Sequence, residues 1–155
     1  YVELVDALEE RFGGEWYVLV RQHPQVVARN LDKSVSSKRV IDVSRIDDMY
    51  EILAGCDAFV SDYSSAAFDA AVMNIPVFVF AYDYNEYVAE RGELMWDLNQ
   101  LPFPYGKNEQ ELFEKIKVFD EKKYQRELTQ LFIDTELLED GKAGKRMVEE
   151  IRKHI

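Results

Sequence analysis

The order of hydrophobic runs predicts an α/β protein: a parallel β-sheet with helices on both faces. Three observations carry this. Short apolar runs with strand character alternate with segments of helical spacing along most of the chain. The strand-like runs are apolar almost throughout rather than alternating, as strands covered on both faces are. Each pair of runs is separated by enough residues for a helical crossover, which parallel pairing requires.

The elements follow in order. VELVDALEERF (2–12) places apolar residues at helical intervals, and Gly13-Gly14 stops it. WYVLVRQ (16–22) reads as a buried strand ending at His23-Pro24. Residues 25–38 are polar and read as loop, and KRVIDVS (38–44) as the second strand. Asp47 or Asp48 is placed to cap a helix through DMYEILAGC, which Gly55 ends. DAFVSD (57–62) is the third strand, SSAAFDAAVMN (64–74) a helix, and IPVFVFAYD (75–83) the fourth strand. YNEYVAERGEL (84–94) reads as helix. MWDLNQLPFPYGKN (95–108) reads as irregular and aromatic, packing or walling a ligand. EQELFEKIKVFD and KKYQRELTQLFID are amphipathic helices. GKAGKRMVEEIRKHI is a last helix, with Arg152 and Lys153 near its negative end. No repeat or low-complexity segment interrupts the series.

Composition narrows the function classes. The 155 residues suit one domain, and 47% hydrophobic content suffices for a core. Thirty acidic against 19 basic residues give a formal net charge of −11, which argues against a nucleic-acid surface. It argues equally against general adhesion to anionic lipid, although a local basic patch can still do that. The single cysteine, Cys56, cannot form an intramolecular disulfide; it reads as a small buried residue, and a reducing compartment fits. No signal peptide or transmembrane run is legible. The chain opens at Tyr1 already in helical pattern, so a fragment of a longer chain is expected.

In open parallel sheets, ligands sit beyond the carboxyl ends of the strands. That rule gathers Arg21 and His23, then Ser44, Arg45 and Asp47, then Asp62 to Ser65, then Tyr82 and Asp83 along one rim. In CDAFVSDYSS (56–65) a strand passes into a helix through Asp62, Tyr63, Ser64 and Ser65. The first helical turn offers free N–H groups and partial positive charge, and the two serines add hydroxyls. Small residues, Ala66 and Ala67, let a phosphate or pyrophosphate approach. Read alone, either serine is equally an N-cap. Arg21 and His23 add a cation and a group that titrates near neutrality. His23 is also readable as a surface histidine before a turn proline. His154 reads as inert. No GxGxxG, P-loop or metal-site spacing is present, and a serine triad lacks its histidine.

Taken together, RQHP (21–24), SDYSSAAFDAA (61–71), FAYDYNEY (80–87), ERG (90–92) and DGKAGKR (140–146) resemble the CDP-glycerol glycerophosphotransferases, the teichoic acid polymerase family. The resemblance covers nearly the whole chain and looks like the C-terminal half of those enzymes. It implies a GT-B architecture of two Rossmann-like halves, with residues 1–155 as the single Rossmann-like domain that holds the donor nucleotide. The implied reaction moves glycerol phosphate or ribitol phosphate from a CDP-linked donor to a lipid-linked polymer or sugar acceptor of teichoic-acid or capsule type.

The implied roles fall on named residues. His23 would be essential, Ser64 and Ser65 would hold the donor pyrophosphate, and Asp69 would support the helix start or reach the ribose. Arg21 and Arg146 would reach the donor pyrophosphate, Arg21 being equally readable as one half of an ion pair at its strand end. Asp62, Tyr63, Ser44 and Asp47 would line or support the nucleotide. Bacterial sialyltransferases of similar fold pair a His-Pro motif with a serine pair around CMP, in keeping with His23 near the donor phosphate. No metal and no cofactor are expected. The enzyme would sit in the cytoplasm, peripheral to the inner face of the plasma membrane. The family's N-terminal half, with a second essential histidine and the acceptor side, has no counterpart in this sequence, so the chain alone is expected to bind CDP or CMP weakly and turn over little. Two other readings compete: a GT-B glycosyltransferase using a CMP- or CDP-sugar, and a non-catalytic interaction module of wall-polymer assembly.

Overall fold

The computed structural model describes residues 1–23, 27 and 37–155. Its first element, α1 (Val2–Phe12), buries Leu4, Val5, Ala7 and Leu8 on one stripe. Gly13 ends it at φ 72°, a conformation open to glycine, and donates its N–H back to Glu9 O at 2.9 Å. β1 (Val18–Val20) and β2 (Val40–Asp42) follow and pair in parallel, Val18 opposite Val40 and Val20 opposite Asp42. α2 (Met49–Leu53) is capped by Asp48, whose carboxylate accepts from the N–H groups of Tyr50 and Glu51 at 2.8 and 3.3 Å. Of the two aspartates eligible from sequence, Asp48 is therefore the cap.

β3 (Phe59–Ser61), α3 (Ala66–Val72) and β4 (Val77–Phe80) form a parallel crossover unit, with Phe59 opposite Val77 and Ser61 opposite Val79. α4 (Tyr84–Arg91) ends at Gly92. A 3-10 turn, Leu98–Gln100, is closed by a capping box between Asp97 and Gln100. β5 (Tyr105–Gly106) then adds to the far side of β4 in parallel, Val79 opposite Tyr105 and Phe80 opposite Gly106. α5 (Glu109–Lys117) is capped by Asn108 and α6 (Glu121–Asp134) by Asp120. α7 (Ala143–Arg152) closes the series.

β4 is the middle of its sheet. Val77, Phe78 and Val79 are all buried, so successive residues pointing to opposite faces both find cover. On one side Phe78 meets Phe119 edge-to-face, with centroids 5.1 Å apart. Phe119 meets Tyr124 of α6 at 5.3 Å, and the Tyr124 hydroxyl donates to Ile75 O at 3.1 Å. Ala67, Ala70 and Ala71 of α3 are buried, and their small side chains let the helix lie close to β3 and β4. α1 packs along α5, where Arg11 donates to Phe119 O at 2.6 Å and Lys117 pairs with Glu10 at 2.8 Å.

The α/β class with parallel strands flanked by helices is as expected, with four differences. Among the described residues, backbone pairing falls into two ladders, β1–β2 and β3–β4–β5, rather than one continuous sheet. β1 is not buried throughout: Leu19 is exposed, as is its register partner Ile41 on the same face. The stretch 95–108, expected to be irregular, contains β5. Two residues between prolines and a turn carry no period of their own, and it is the exposed edge of β4 that recruits them. The helix expected from Ser64 starts at Ala66, because Ser64 and Ser65 form the turn leading into it. The loop expected over 25–38 falls almost wholly outside the described residues. Cys56 is half-buried, its thiol bonded to Ile52 O at 3.3 Å, and burial raises its pKa.

Candidate functional site

The carboxyl ends of the strands carry most of the groups singled out from sequence. At the end of β1, the Arg21 guanidinium donates to Ile46 O at 2.5 Å, tying it to the segment after β2. His23 is exposed, two residues further on, and its carbonyl accepts from Val27 N–H at 3.3 Å. Ser44 is buried between the two strand ends. Its hydroxyl accepts from Gln22 N–H at 2.9 Å and lies 3.5 Å from Val20 O, where its own proton points. The Ser44 side chain first, and then its N–H, which donates to Asp42 at 2.9 Å, hold the Asp42 carboxyl below its ordinary pKa. Ser44 is therefore a clasp between β1 and β2, and Asp47 is exposed beside it.

The turn between β3 and α3 is open. Asp62, Ser64 and Ser65 are exposed, while Ala66 and Ala67 beneath them are buried. Ser64 Oγ accepts from Ala66 N–H at 3.3 Å, a weak local turn bond. Ser65 is the N-cap residue, yet its side chain makes no capping bond. This separates the two readings of that serine: its hydroxyl is not spent on the helix.

Each flank of this turn is braced. Towards α2, the Tyr50 hydroxyl reaches Asp69 Oδ2 at 3.5 Å, joining α2 to α3. Towards β4, the Tyr63 hydroxyl donates to Asp83 Oδ1 at 3.0 Å. Tyr63 also packs on Tyr87 at 4.2 Å and Tyr84 at 6.0 Å. Burial first, and then its bond to Asp83, raise the Tyr63 pKa far above the ordinary phenol value, so it is a hydrogen-bond donor at every physiological pH. Asp83 precedes α4 but makes no capping bond with its side chain. At the end of β5 the Lys107 ammonium lies 6.0 Å from the Tyr84 ring centroid.

Arg146 is placed elsewhere. Its guanidinium donates to Asp140 Oδ1 at 2.7 Å and to Leu138 O at 3.0 Å, pinning the turn before α7. The Asp140 carboxyl is held below its usual range by that bond. Tyr50, Asp83 and Lys107 were not among the residues assigned roles from sequence. Asp83 is legible in the sequence as a strand-end group. Lys107 is not, because β5, which it follows, is not. Among the described residues, no group of three or more His, Cys, Asp or Glu side chains is arranged to hold a metal ion. No helix among them is long and apolar enough to cross a membrane.

Beyond the carboxyl ends of the strands is where α/β proteins of the doubly wound class bind ligands, and a serine turn ahead of a helix is a place for an anion. Residues 4–153 match the family described as CDP-Glycerol:Poly(glycerophosphate) glycerophosphotransferase, and the chain belongs to that family. It is 34% identical to the teichoic acid glycerol-phosphate transferase of Staphylococcus aureus, over 96% of this chain and 38% of that protein. It is 31% identical to the teichoic acid poly(ribitol-phosphate) polymerase of Bacillus spizizenii, over 94% of this chain and 23% of that one. Among solved structures, the wall teichoic acid polymerase TagF superposes with a TM-score of 0.70 at 29% identity, covering 97% of this chain and 37% of TagF. A TagF variant soaked with CDPG superposes equally well. The chain thus spans well under half the length of these relatives.

Proposed function

We propose that this chain is the single domain that holds the CDP-linked donor in an enzyme transferring glycerol phosphate or ribitol phosphate to a teichoic-acid or capsule-type polymer. The observation that carries the reading is the open turn at Ser64 and Ser65. Two exposed hydroxyls stand ahead of α3 over buried alanines, at the carboxyl end of β3. A pyrophosphate seated there would meet serine hydroxyls and the first N–H groups of the turn.

In the reaction, an acceptor hydroxyl attacks the phosphorus that bears the polyol. A new O–P bond forms, the bridging O–P bond breaks, and CMP leaves with that electron pair. The hydroxyl proton passes to a base. His23, exposed beyond β1, is our candidate to take that proton or to bond the departing phosphate. Arg21 retains donors beyond the one given to Ile46 and is the cation beside it. Asp47, Asp62 and Asp69 frame the nucleotide, while Ser44 and Tyr63 give local support, Ser44 by holding the strand ends together and Tyr63 through its bond to Asp83. Arg146 reaches a phosphate only if its bonds to Asp140 and Leu138 are given up. Such chemistry rests on positioning and charge stabilisation. A further half of the enzyme, supplying the lipid-linked acceptor's binding surface, and a location peripheral to the inner face of the plasma membrane complete the proposal.

Calorimetric titration of the chain with CDP-glycerol, CDP, CMP and UDP tests it. Cytidine-selective binding is expected, weakened about tenfold or more in the Ser64→Ala/Ser65→Ala double variant. Equal binding of UDP, or a double variant that binds as well as the parent, overturns it.

A further inference from the structure

The serine turn is braced unequally on its two sides, and the asymmetry bears on which end of the donor lies where. Towards α2 stands the Tyr50–Asp69 pair, with Ser44 and Asp47 beyond. Towards β4 stand Asp83, three tyrosine rings and Lys107. A pyrophosphate centred on Ser64 and Ser65 sends its nucleoside to one flank and its polyol to the other.

The β4 flank is poorly suited to a nucleobase. A base needs an open aromatic face to stack on. Here Tyr63 packs on Tyr87 and Tyr84, Tyr84 also has the Lys107 ammonium 6.0 Å from its centroid, and the more exposed Tyr82 packs on Phe80 at 5.2 Å with its hydroxyl drawn to Asp83, so each ring of the flank already has a partner. What the flank does offer is a positioned acceptor. Asp83 sits where a helix-capping carboxylate would be, yet its side chain bonds the Tyr63 hydroxyl instead of the helix. The bond of 3.0 Å from Tyr63 fixes one oxygen, the Tyr82 hydroxyl also interacts with the carboxylate, and lone pairs for about two more donors remain. A fixed carboxylate that only accepts is suited to neutral hydroxyl donors, and a short polyol consists of them. It repels a phosphate, which keeps the charged end of the donor on the serines.

We infer that Asp83, aimed by the Tyr63 hydroxyl, binds the hydroxyls of the polyol carried by the donor and thereby distinguishes a CDP-polyol from CDP. This rests on the donor-binding reading above and adds the orientation of the donor: nucleoside towards α2, polyol towards β4. Tyr63 is a positioning residue in this scheme, and Lys107 offsets the negative charge of the corner.

The experiment compares Asp83→Asn and Tyr63→Phe with the parent chain by titration with CDP, CDP-glycerol and CDP-ribitol. Asparagine keeps an oxygen for Tyr63 but loses the charge and an acceptor. The Asp83→Asn variant is expected to bind the preferred CDP-polyol about tenfold more weakly while CDP changes less than twofold or tightens. Tyr63→Phe, which leaves the carboxylate unaimed, is expected to show a smaller loss confined to the CDP-polyols, and it carries the test if Asp83→Asn does not fold. Equal weakening of CDP and the CDP-polyols would place the nucleoside on this flank and overturn the inference. Unchanged binding of all three would do so as well. A parent chain that binds no cytidine nucleotide would remove the donor reading and this one together; CDP bound normally in a variant that also binds CDP-polyols normally removes only this one.

Discussion

Tyr124 is 2% exposed, and its hydroxyl donates to the carbonyl of Ile75, 49 residues earlier. Removing that hydroxyl leaves a buried carbonyl short of a partner. Tyr124→Phe is expected to lower unfolding free energy by about 1 kcal/mol, read from urea denaturation at neutral pH. Burial pushes the Tyr124 pKa up to about 12, from an ordinary 10.0. The unfolded phenol therefore loses its proton first as pH rises. The stabilisation is complete below about pH 10 and is lost between about pH 10 and pH 12. The phenylalanine variant should lack this part of the alkaline decline, so the two denaturation curves should converge as pH approaches 12. At the rim, the serine hydroxyls, His23 and Asp83 make no comparable core contribution. Their substitution should alter ligand binding with little change in the melting midpoint.

At the scale of elements, the junction of β5 and α5 tolerates the least. A Cβ on Gly106 would stand 2.6 Å from Leu112 Cα and closer still to the Leu112 nitrogen, where α5 crosses the strand. Both neighbours are backbone and cannot swing aside. Gly106→Ala is expected to destabilise by about 1–3 kcal/mol, measurable by denaturant titration. This same junction shows where sequence reading stops. Helices with their own stripe and cap, such as Val2–Phe12 and Glu109–Lys117, are legible because spacing and capping are local facts. Tyr105–Gly106 pairs only because β4 offers it an edge, which no local pattern records. The site divides the same way. Strand ends place Arg21, His23, Asp62 to Ser65 and Asp83 on the rim, and chain order alone foretells it. That Ser44 becomes a clasp and Arg146 closes the turn before α7 depends on partners brought close by folding.

For the whole molecule, α7 and α1 are opposites. α7 buries none of its residues, and Met147, Val148 and Ile151 leave an apolar stripe exposed. Truncation after Leu138 should therefore leave the thermal midpoint of the remainder within about 3 °C. α1 instead packs one face into the core: Leu4, Val5, Ala7 and Leu8 are buried, and Arg11 bonds a carbonyl 108 residues further along. Chains are made from the amino end, so α1 leaves the ribosome long before Phe119 exists. At about 5–20 residues per second, the apolar stripe of α1 waits roughly 5–20 s for its partner. During that interval the contacts with α5 and Phe119 are missing, and Leu4 and Leu8 form part of a patch that a chaperone can hold.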